Sequence, residues 1–376
     1  MKILFTGGGT GGHTTPIIAI ARELRRSYGQ ENLDLYYMGP KDRFAELLFS
    51  QEDIKVNYIL AGKIRRYFEG KAILENLLDM GVKVPIGIIQ AFFKVLFLAP
   101  DAIISKGGYG SIPTAIAGWV FHVPIFLHES DIEPGLSNKI VSRFAKVVFT
   151  SFPRTKFFSP KKMVLTGTPI RKRVLEGDKK EAKTMLHLIG NKPTILILGG
   201  SQGAQKVNDM LLVILDEMLK EFEVIHQTGE ANFEQVKKEA KVVVKKEQEP
   251  YYHPMPFFKE NELRHVYAAT DFVVTRAGSA FIAEIAALGK PSILIPLSGS
   301  AQDHQIANAY AYANAKAAIV LEEPNLTPHF FLEKLRYFFA NPDEMQDMAI
   351  AAKEFAKPNA ARTVSTHVMK YLQKKN

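Results

Sequence analysis

Residues 271–309 read DFVVTRAGSAFIAEIAALGKPSILIPLSGSAQDHQIANA. Phe272, Val273 and Val274 form a short apolar run bounded by polar residues, the pattern of a strand buried in a parallel sheet. Ser279 is placed to cap a helix starting at Ala280. Gly289 and Pro291 stop that helix, and Ser292 to Pro296 reads as the next strand. The unit is strand–helix–strand, and its turn lies at the carboxyl end of a strand, where open α/β sheets bind ligands. The helix is apolar on nearly every side, so it should be buried. Glu284 is its one charged residue. A buried carboxylate is costly unless something pairs with it. Two partners fit: a ribose diol, held while Gly278 and the helix N-terminus face a diphosphate, or a neighbouring Arg or Lys.

The same grammar opens the chain and recurs in its middle. Lys2 to Phe5 is a strand, followed by GGGTGGH at 7–13 and a helix to about Tyr28; Thr194 to Leu198 is a strand, followed by GGSQG at 199–203 and a helix to about Leu219. Glycines there let the backbone approach a ligand closely and present N–H groups to it. Two such openings predict an α/β chain of two doubly wound halves, with a ligand cleft between them. Gly7, Gly9 and Gly12 also fit the dinucleotide fingerprint, which requires an acidic residue ending the second strand. That strand, Leu35 to Met38, ends in Gly39-Pro40 instead. A nicotinamide oxidoreductase is therefore disfavoured.

The chain has 376 residues, 47% of them hydrophobic, enough for more than one domain with a real core. There is no cysteine, which excludes disulfides, thiolate metal sites and a thiol nucleophile. The start MKILFTGGG enters a strand directly, with no basic leader and long apolar region, so the expected place is the cytoplasm. A net charge of +9 favours an anionic partner. The basic residues are dispersed and no nucleic-acid motif is present, so nucleic acid is not expected.

Several residues carry candidate chemistry. His13 sits near a helix N-terminus, whose dipole disfavours a charged ring. It reads either as a neutral general base or as a histidine bonded to loop backbone, with Thr14 or Thr15 capping the helix behind it. Lys63, Arg65, Arg66 and Lys71 form a basic segment. Val82 to Pro100 follows, short for a transmembrane helix, with Lys83, Gly87, Gln90 and Lys94 as a narrow polar stripe. It reads either as a helix covering a sheet or as a surface helix dipping into an anionic bilayer. The strand from Pro124 to Leu127 leads into HESDIEPG at 128–135, where Glu129, Asp131 and Glu133 alternate. The chain contains no Asp-x-Asp pair, so a carboxylate that deprotonates or orients a hydroxyl is favoured over a catalytic metal. Pro153 to Lys162 is polar and basic and marks the end of the first domain. Arg171 either reaches the cleft or is a linker charge. Residues 237–249 read as a solvated edge, and the residues from about Glu354 as an amphipathic basic helix.

Taken together, GGGTGGHTTP, SKGGYGSIP, HESDIEPGLSNK, GTPIR, GGSQGAQKVN and RAGSAFIAEIAALGKPSILIPL…QDHQIANA resemble, in this order, the motifs of the MurG family of N-acetylglucosaminyltransferases. The resemblance covers about residues 1–350. It implies a GT-B architecture: an acceptor- and membrane-side domain at 1–162, a UDP-GlcNAc-binding domain at 163–352, and a C-terminal helix at 353–376 returning to the first. It implies transfer of GlcNAc from UDP-GlcNAc to the C4 hydroxyl of the MurNAc unit of lipid I. Lipid II and UDP would result, with inversion, without metal or cofactor, at the cytoplasmic face of the membrane. Thr10, Gly11 and Gly12 match the loop contacting the donor sugar and the acceptor side, and His13 matches the candidate base. Arg171, Ser201, Phe258, Glu284 and Gln305 match donor-binding positions, with Glu284 on the ribose hydroxyls. Ala280 and Phe281 match backbone contacts to uracil. Many members carry Asn where this chain has Asp131. An ionisable Asp there leaves the base open between His13, Asp131 and Glu129. A transferase of the same architecture using another lipid acceptor, such as diacylglycerol, is the alternative.

Overall fold

The computed structural model describes residues 1–8, 11–62, 75–153, 156–200 and 203–374. The chain divides into two compact units, Met1–Arg171 with Lys357–Asn376, and Lys172–Ala356.

The first unit runs β1 (Lys2–Gly7), α1 (Gly11–Tyr28), β2 (Asp34–Gly39), α2 (Arg43–Ser50), β3 (Lys55–Tyr58), α3 (Val84–Leu98), β4 (Ala102–Gly107), α4 (Ser111–Val120), β5 (Ile125–Glu129), α5 (Leu136–Phe144), β6 (Val147–Thr150) and β7 (Met163–Leu165). The strands form one parallel sheet in the order β3-β2-β1-β4-β5-β6-β7. Its central strands β1, β4 and β5 are buried along nearly their whole length because both faces are covered, while the edge strands β3 and β7 are partly exposed. In β1, Ile3 and Phe5 join the layer under α1 and α2, while Leu4 joins the opposite layer under α3 and α4. The sequence ends the first domain at residue 162. β7 instead pairs with β6, Val148 opposite Met163 and Thr150 opposite Leu165. That pairing carries the first unit on to Arg171.

The second unit repeats the plan: α6 (Lys179–Leu186), β8 (Thr194–Leu198), α7 (Gln205–Glu221), β9 (Glu223–Gln227), α8 (Phe233–Val243), β10 (Tyr252–Met255), α9 (Glu260–Ala269), β11 (Phe272–Thr275), α10 (Ser279–Leu288), β12 (Ser292–Leu294), α11 (His304–Asn314), β13 (Ile319–Val320), α12 (Pro328–Ala340) and α13 (Pro342–Phe355). Its sheet is parallel, in the order β10-β9-β8-β11-β12-β13. Ile195 and Ile197 face one buried layer, Leu196 and Leu198 the other. The region expected as a solvated edge is helical through Val243. Val236 and Ala240 turn inward one turn apart, while the lysines of α8 face out. The chain then returns to the first unit as α14 (Ala360–Gln373), whose Ala361, Val364, Val368 and Leu372 enter the layer under α1.

α3 departs from expectation. Helical structure extends from Glu75 to Leu98, 24 residues, long and apolar enough by length and composition to cross a membrane. It includes a π-helical turn at Asp79–Lys83. Yet it is fastened along the first unit. Gly87, Ala91 and Val95 are buried, and a Cβ on Gly87 would lie 1.9 Å from the Leu60 carbonyl oxygen. Gln90 Oε1 accepts the Leu60 N–H at 2.8 Å. Of the polar stripe, Gly87 and Gln90 thus lie against the protein, while Lys83 stays exposed. The apolar side faces out, with Leu77, Ile86, Ile89 and Phe93 exposed and Phe97 81% exposed. Ala91 and Val95 enter the layer that holds Leu4 and Ile103, so the helix covers the sheet with one side and leaves its other, apolar side exposed.

Candidate active site

In the first sheet the strand order reverses between β1 and β4, the switch point at which doubly wound sheets open a crevice. Both flanking strands end in glycine turns, and Gly7 pairs with Gly107. The turns approach so closely that side chains are excluded. A Cβ on Gly110 would lie 2.5 Å from the Gly7 oxygen, and one on Gly108 would lie 2.9 Å from the Gly8 nitrogen. Gly107 and Gly108 also hold left-handed φ of 86° and 82°. α1 begins at Gly11, so His13 is its third residue rather than part of the loop, and Thr14 and Thr15 lie inside the helix instead of capping it. The His13 ring rests against both turns: a Cβ on Gly8 would sit 2.9 Å from its Cδ2, and one on Gly108 3.2 Å from its Nε2. Gly12 beside it is exposed. Thr10 lies outside the described residues, as do Lys63, Arg65, Arg66 and Lys71.

The end of β5 lies next to the β4 turn. Glu129 is buried there and Asp131 half-buried. Glu129 is fully engaged: Oε1 accepts the Asp131 N–H at 2.9 Å, and Oε2 accepts from Asn138 Nδ2 at 2.7 Å. Asn138 in turn packs on the second glycine turn, where a Cβ on Gly107 would strike its Oδ1 at 1.9 Å. Glu129 and Asn138 therefore tie the β5 turn to the β4 turn. Burial, and then the Asp131 carboxylate, push Glu129 above the ordinary carboxylate range, against the pull of Lys106. Burial pushes the Lys106 ammonium down, opposed by Glu129 and Asp131. His128 is pushed down to about 3, by burial and then by Lys106. Its Nε2–H donates to the Gly167 carbonyl at 3.0 Å, the pattern of a neutral ring. Lys106 and Asn138 were not singled out by sequence reading. The signal available was their place inside the SKGG and SNK motifs.

The second unit reverses its strand order between β8 and β11. Gly278 is the N-cap of α10 and Ser279 its first helical residue, so Ser279 does not cap. Phe281 lies against both turns, its ring 3.9 Å from Cβ positions built on Gly200 and on Gly278. Ala280 and Phe281 are half-buried. Glu284 is buried, and its Oε2 accepts from the Tyr267 hydroxyl at 3.0 Å. Arg276 is held at the β11 turn, donating to the Ile295 carbonyl at 3.2 Å and pairing with Glu323 at 2.6 Å. Gln305 Oε1 accepts the Leu297 N–H at 3.0 Å, across a segment in which Gln302 and Asp303 both hold positive φ. Phe258 is buried, its N–H donating to Gln227. Phe258, Ala280, Phe281, Glu284 and Gln305 thus belong to this second unit, and Arg171 to the first. Ser201 lies outside the described residues.

Residues 3–150 match the glycosyltransferase family 28 N-terminal domain and residues 194–364 the C-terminal domain of the same family. With two parallel-sheet α/β units, each carrying glycine turns at its switch point, the chain is a glycosyltransferase of the GT-B class. It is 37% identical over 369 residues to a Bacillus anthracis UDP-N-acetylglucosamine–N-acetylmuramyl-(pentapeptide) pyrophosphoryl-undecaprenol N-acetylglucosamine transferase, covering 98% of this chain and 99% of that one. A Clostridium tetani protein of the same name is 37% identical over 345 residues, 91% of each chain. The fold matches the crystal structure of Acinetobacter baumannii MurG with a TM-score of 0.73 at 24% identity, over 98% of this chain and 99% of that one. The chain belongs to the MurG family of N-acetylglucosaminyltransferases.

Proposed function

We propose that this chain transfers GlcNAc from UDP-GlcNAc to the C4 hydroxyl of the MurNAc unit of lipid I, giving lipid II and UDP with inversion and without a metal. The observation that carries this reading is its identity, across nearly its whole length, to transferases named for an N-acetylmuramyl-(pentapeptide) pyrophosphoryl-undecaprenol. The second unit takes the donor: Glu284 the ribose hydroxyls, the backbone at Ala280 and Phe281 the uracil, and Ser201, Phe258 and Gln305 the rest, together with Arg171. In the first unit Thr10, Gly11 and Gly12 meet the donor sugar and the acceptor side, and the second glycine turn takes the acceptor.

In the reaction the acceptor hydroxyl gives its proton to a base as its oxygen bonds to the anomeric carbon. The bond from that carbon to the phosphate oxygen breaks, and its electron pair leaves with UDP. Backbone N–H groups and a helix N-terminus stabilise the charge that develops on the leaving group. His13, resting on both glycine turns, and the half-buried Asp131 are the candidate bases. Glu129, with both oxygens committed to hydrogen bonds, fits a role in holding Asp131 and the Gly107 turn.

The chain works as a peripheral protein on the cytoplasmic face of the membrane, with the outward apolar side of α3 in the lipid. The exposed Trp119 on the neighbouring α4 adds an amphipathic ring of the kind that settles at bilayer interfaces. Transfer of labelled GlcNAc from UDP-GlcNAc to lipid I, run with and without a chelator, tests the reaction. No labelled lipid product, or a product lost with the chelator, overturns it.

A further inference from the structure

β2 and β9 hold the same place in their sheets, each beside its unit's first strand on the side away from the switch point. From each, one buried polar side chain reaches across to the neighbouring glycine turn. On β2, the Tyr37 hydroxyl donates to the Gly7 carbonyl at 3.1 Å and lies 3.4 Å from that of Gly8. It is boxed in, since a Cβ on Gly39 would meet its oxygen at 2.5 Å. On β9, Gln227 uses both ends of its amide. Nε2 donates to the Gly200 carbonyl at 3.2 Å, and Oε1 accepts the Phe258 N–H at 3.1 Å. The Gln227 backbone carbonyl also takes the Gly199 N–H at 3.2 Å.

A trans peptide is planar, so a carbonyl and the following N–H point in opposite directions. Pinning the Gly7 carbonyl therefore also fixes the direction of the Gly8 N–H, whose nitrogen lies 2.9 Å from a Cβ built on Gly108. A glycine turn left unpinned has many conformations open to it, and donors stabilise a developing charge well only when they are already in place.

We propose that Tyr37 and Gln227 are matched positioning residues, Tyr37 fixing the glycine turn that receives the acceptor and Gln227 fixing the turn and the Phe258 segment that receive the nucleotide. Neither touches substrate. The proposal rests on the function assigned above, and it makes the two side chains separable by substrate.

The test is steady-state kinetics of Tyr37→Phe and Gln227→Met in the full chain, varying UDP-GlcNAc and the lipid-linked acceptor in turn. Losing the hydrogen bonds of either residue should raise one KM by about tenfold: the acceptor's for Tyr37→Phe, the donor's for Gln227→Met, the other KM staying within about twofold. KM does not depend on how much of a preparation is folded, so partial misfolding lowers apparent kcat without imitating this crossed pattern. Both KM values unchanged, or both raised in both variants, overturns the proposal. A wild-type chain that transfers nothing defeats the assigned function instead. Calorimetric titration with UDP then decides Gln227, an affinity unchanged in Gln227→Met counting against it and a tenfold loss for it.

Discussion

The Tyr267 hydroxyl on α9 donates to Oε2 of Glu284 on α10 at 3.0 Å, joining two buried side chains. The bond satisfies one oxygen of a carboxylate that an apolar helix could not otherwise hold cheaply. It also fixes the direction in which the carboxylate points. If that direction serves a ribose diol, Glu284→Ala should weaken UDP-GlcNAc binding by roughly ten- to a hundredfold, the scale of lost hydrogen bonds to a charged group. Tyr267→Phe should cost only several-fold, since the carboxylate stays. Calorimetric titration of both variants measures this. An unchanged donor affinity in Glu284→Ala removes the ribose role and leaves Glu284 as a brace between α9 and α10.

His13 belongs to α1 yet leans on Gly8 and Gly108, so it reports on both turns at once. His13→Ala should cut turnover by at least about a hundredfold, the usual reach of a general base. KM for UDP-GlcNAc should hardly change, because the nucleotide is assigned to the other unit. Initial rates at saturating donor settle it, and near-normal turnover passes the base to Asp131. Asp131→Asn, which keeps size and removes the charge, is the matching control.

Much of this arrangement is readable in the chain because glycine leaves a mark wherever backbones must touch. Gly107 and Gly108 stand where a left-handed turn meets Asn138 and Gly8, and Gly278 caps the helix that carries Glu284. Strand identity was equally legible, since segments such as Ile195–Leu198 are apolar on both faces. Orientation was not. Gly87, Gln90 and Lys94 share a helical stripe whether that stripe meets water or Leu60, and only the tertiary contact decides. Tyr37 and Gln227 were missed for a related reason. Each is one polar group in an apolar strand, and its partner is a backbone carbonyl, which has no sequence signature. Ser279 misled because a serine ahead of an apolar run caps many helices, while here Gly278 supplies the extended residue.

Stability should carry opposing pH dependences from buried groups. His226 is pushed down to about 3 by burial. Its Nε2–H donates to Asn208 Oδ1 at 3.0 Å, and its Nδ1 accepts from the Tyr252 hydroxyl at 2.8 Å, the bonds of a neutral ring. The unfolded chain binds that proton near pH 6.5. The histidine's contribution is therefore whole above that value and is lost as pH falls towards 3. His128 acts in the same sense. Glu129 has the reverse sign: raised from 4.5 to about 7, it favours the folded state below 4.5 and loses that contribution as pH rises through about 7. Urea midpoints across this range should fall on the acid side in the wild type. Subtracting the Glu129→Gln curve should leave a component that declines between pH 4.5 and about 7. A difference that is flat, or that rises, contradicts the burial of an unwelcome charge at Glu129.

The outward side of α3 gives the prediction that is easiest to separate from folding. Ile89, Phe93 and Phe97 are exposed, while Gly87, Ala91 and Val95 hold the helix to its domain. Placing Asp at Ile89 and at Phe97 touches nothing that the fold buries, so thermal stability should move little. Bilayer contact should suffer strongly, because each large apolar side chain withdrawn from lipid forfeits about 1.5–3 kcal/mol and each new carboxylate is repelled by anionic headgroups. Co-sedimentation with vesicles containing anionic lipid should fall by at least about tenfold in the Ile89→Asp/Phe97→Asp variant. Donor affinity in solution should stay as in the wild type, and transfer to lipid I embedded in vesicles should drop with the binding. Vesicle binding that persists in this variant would mean that α3 presents its apolar side to something other than lipid.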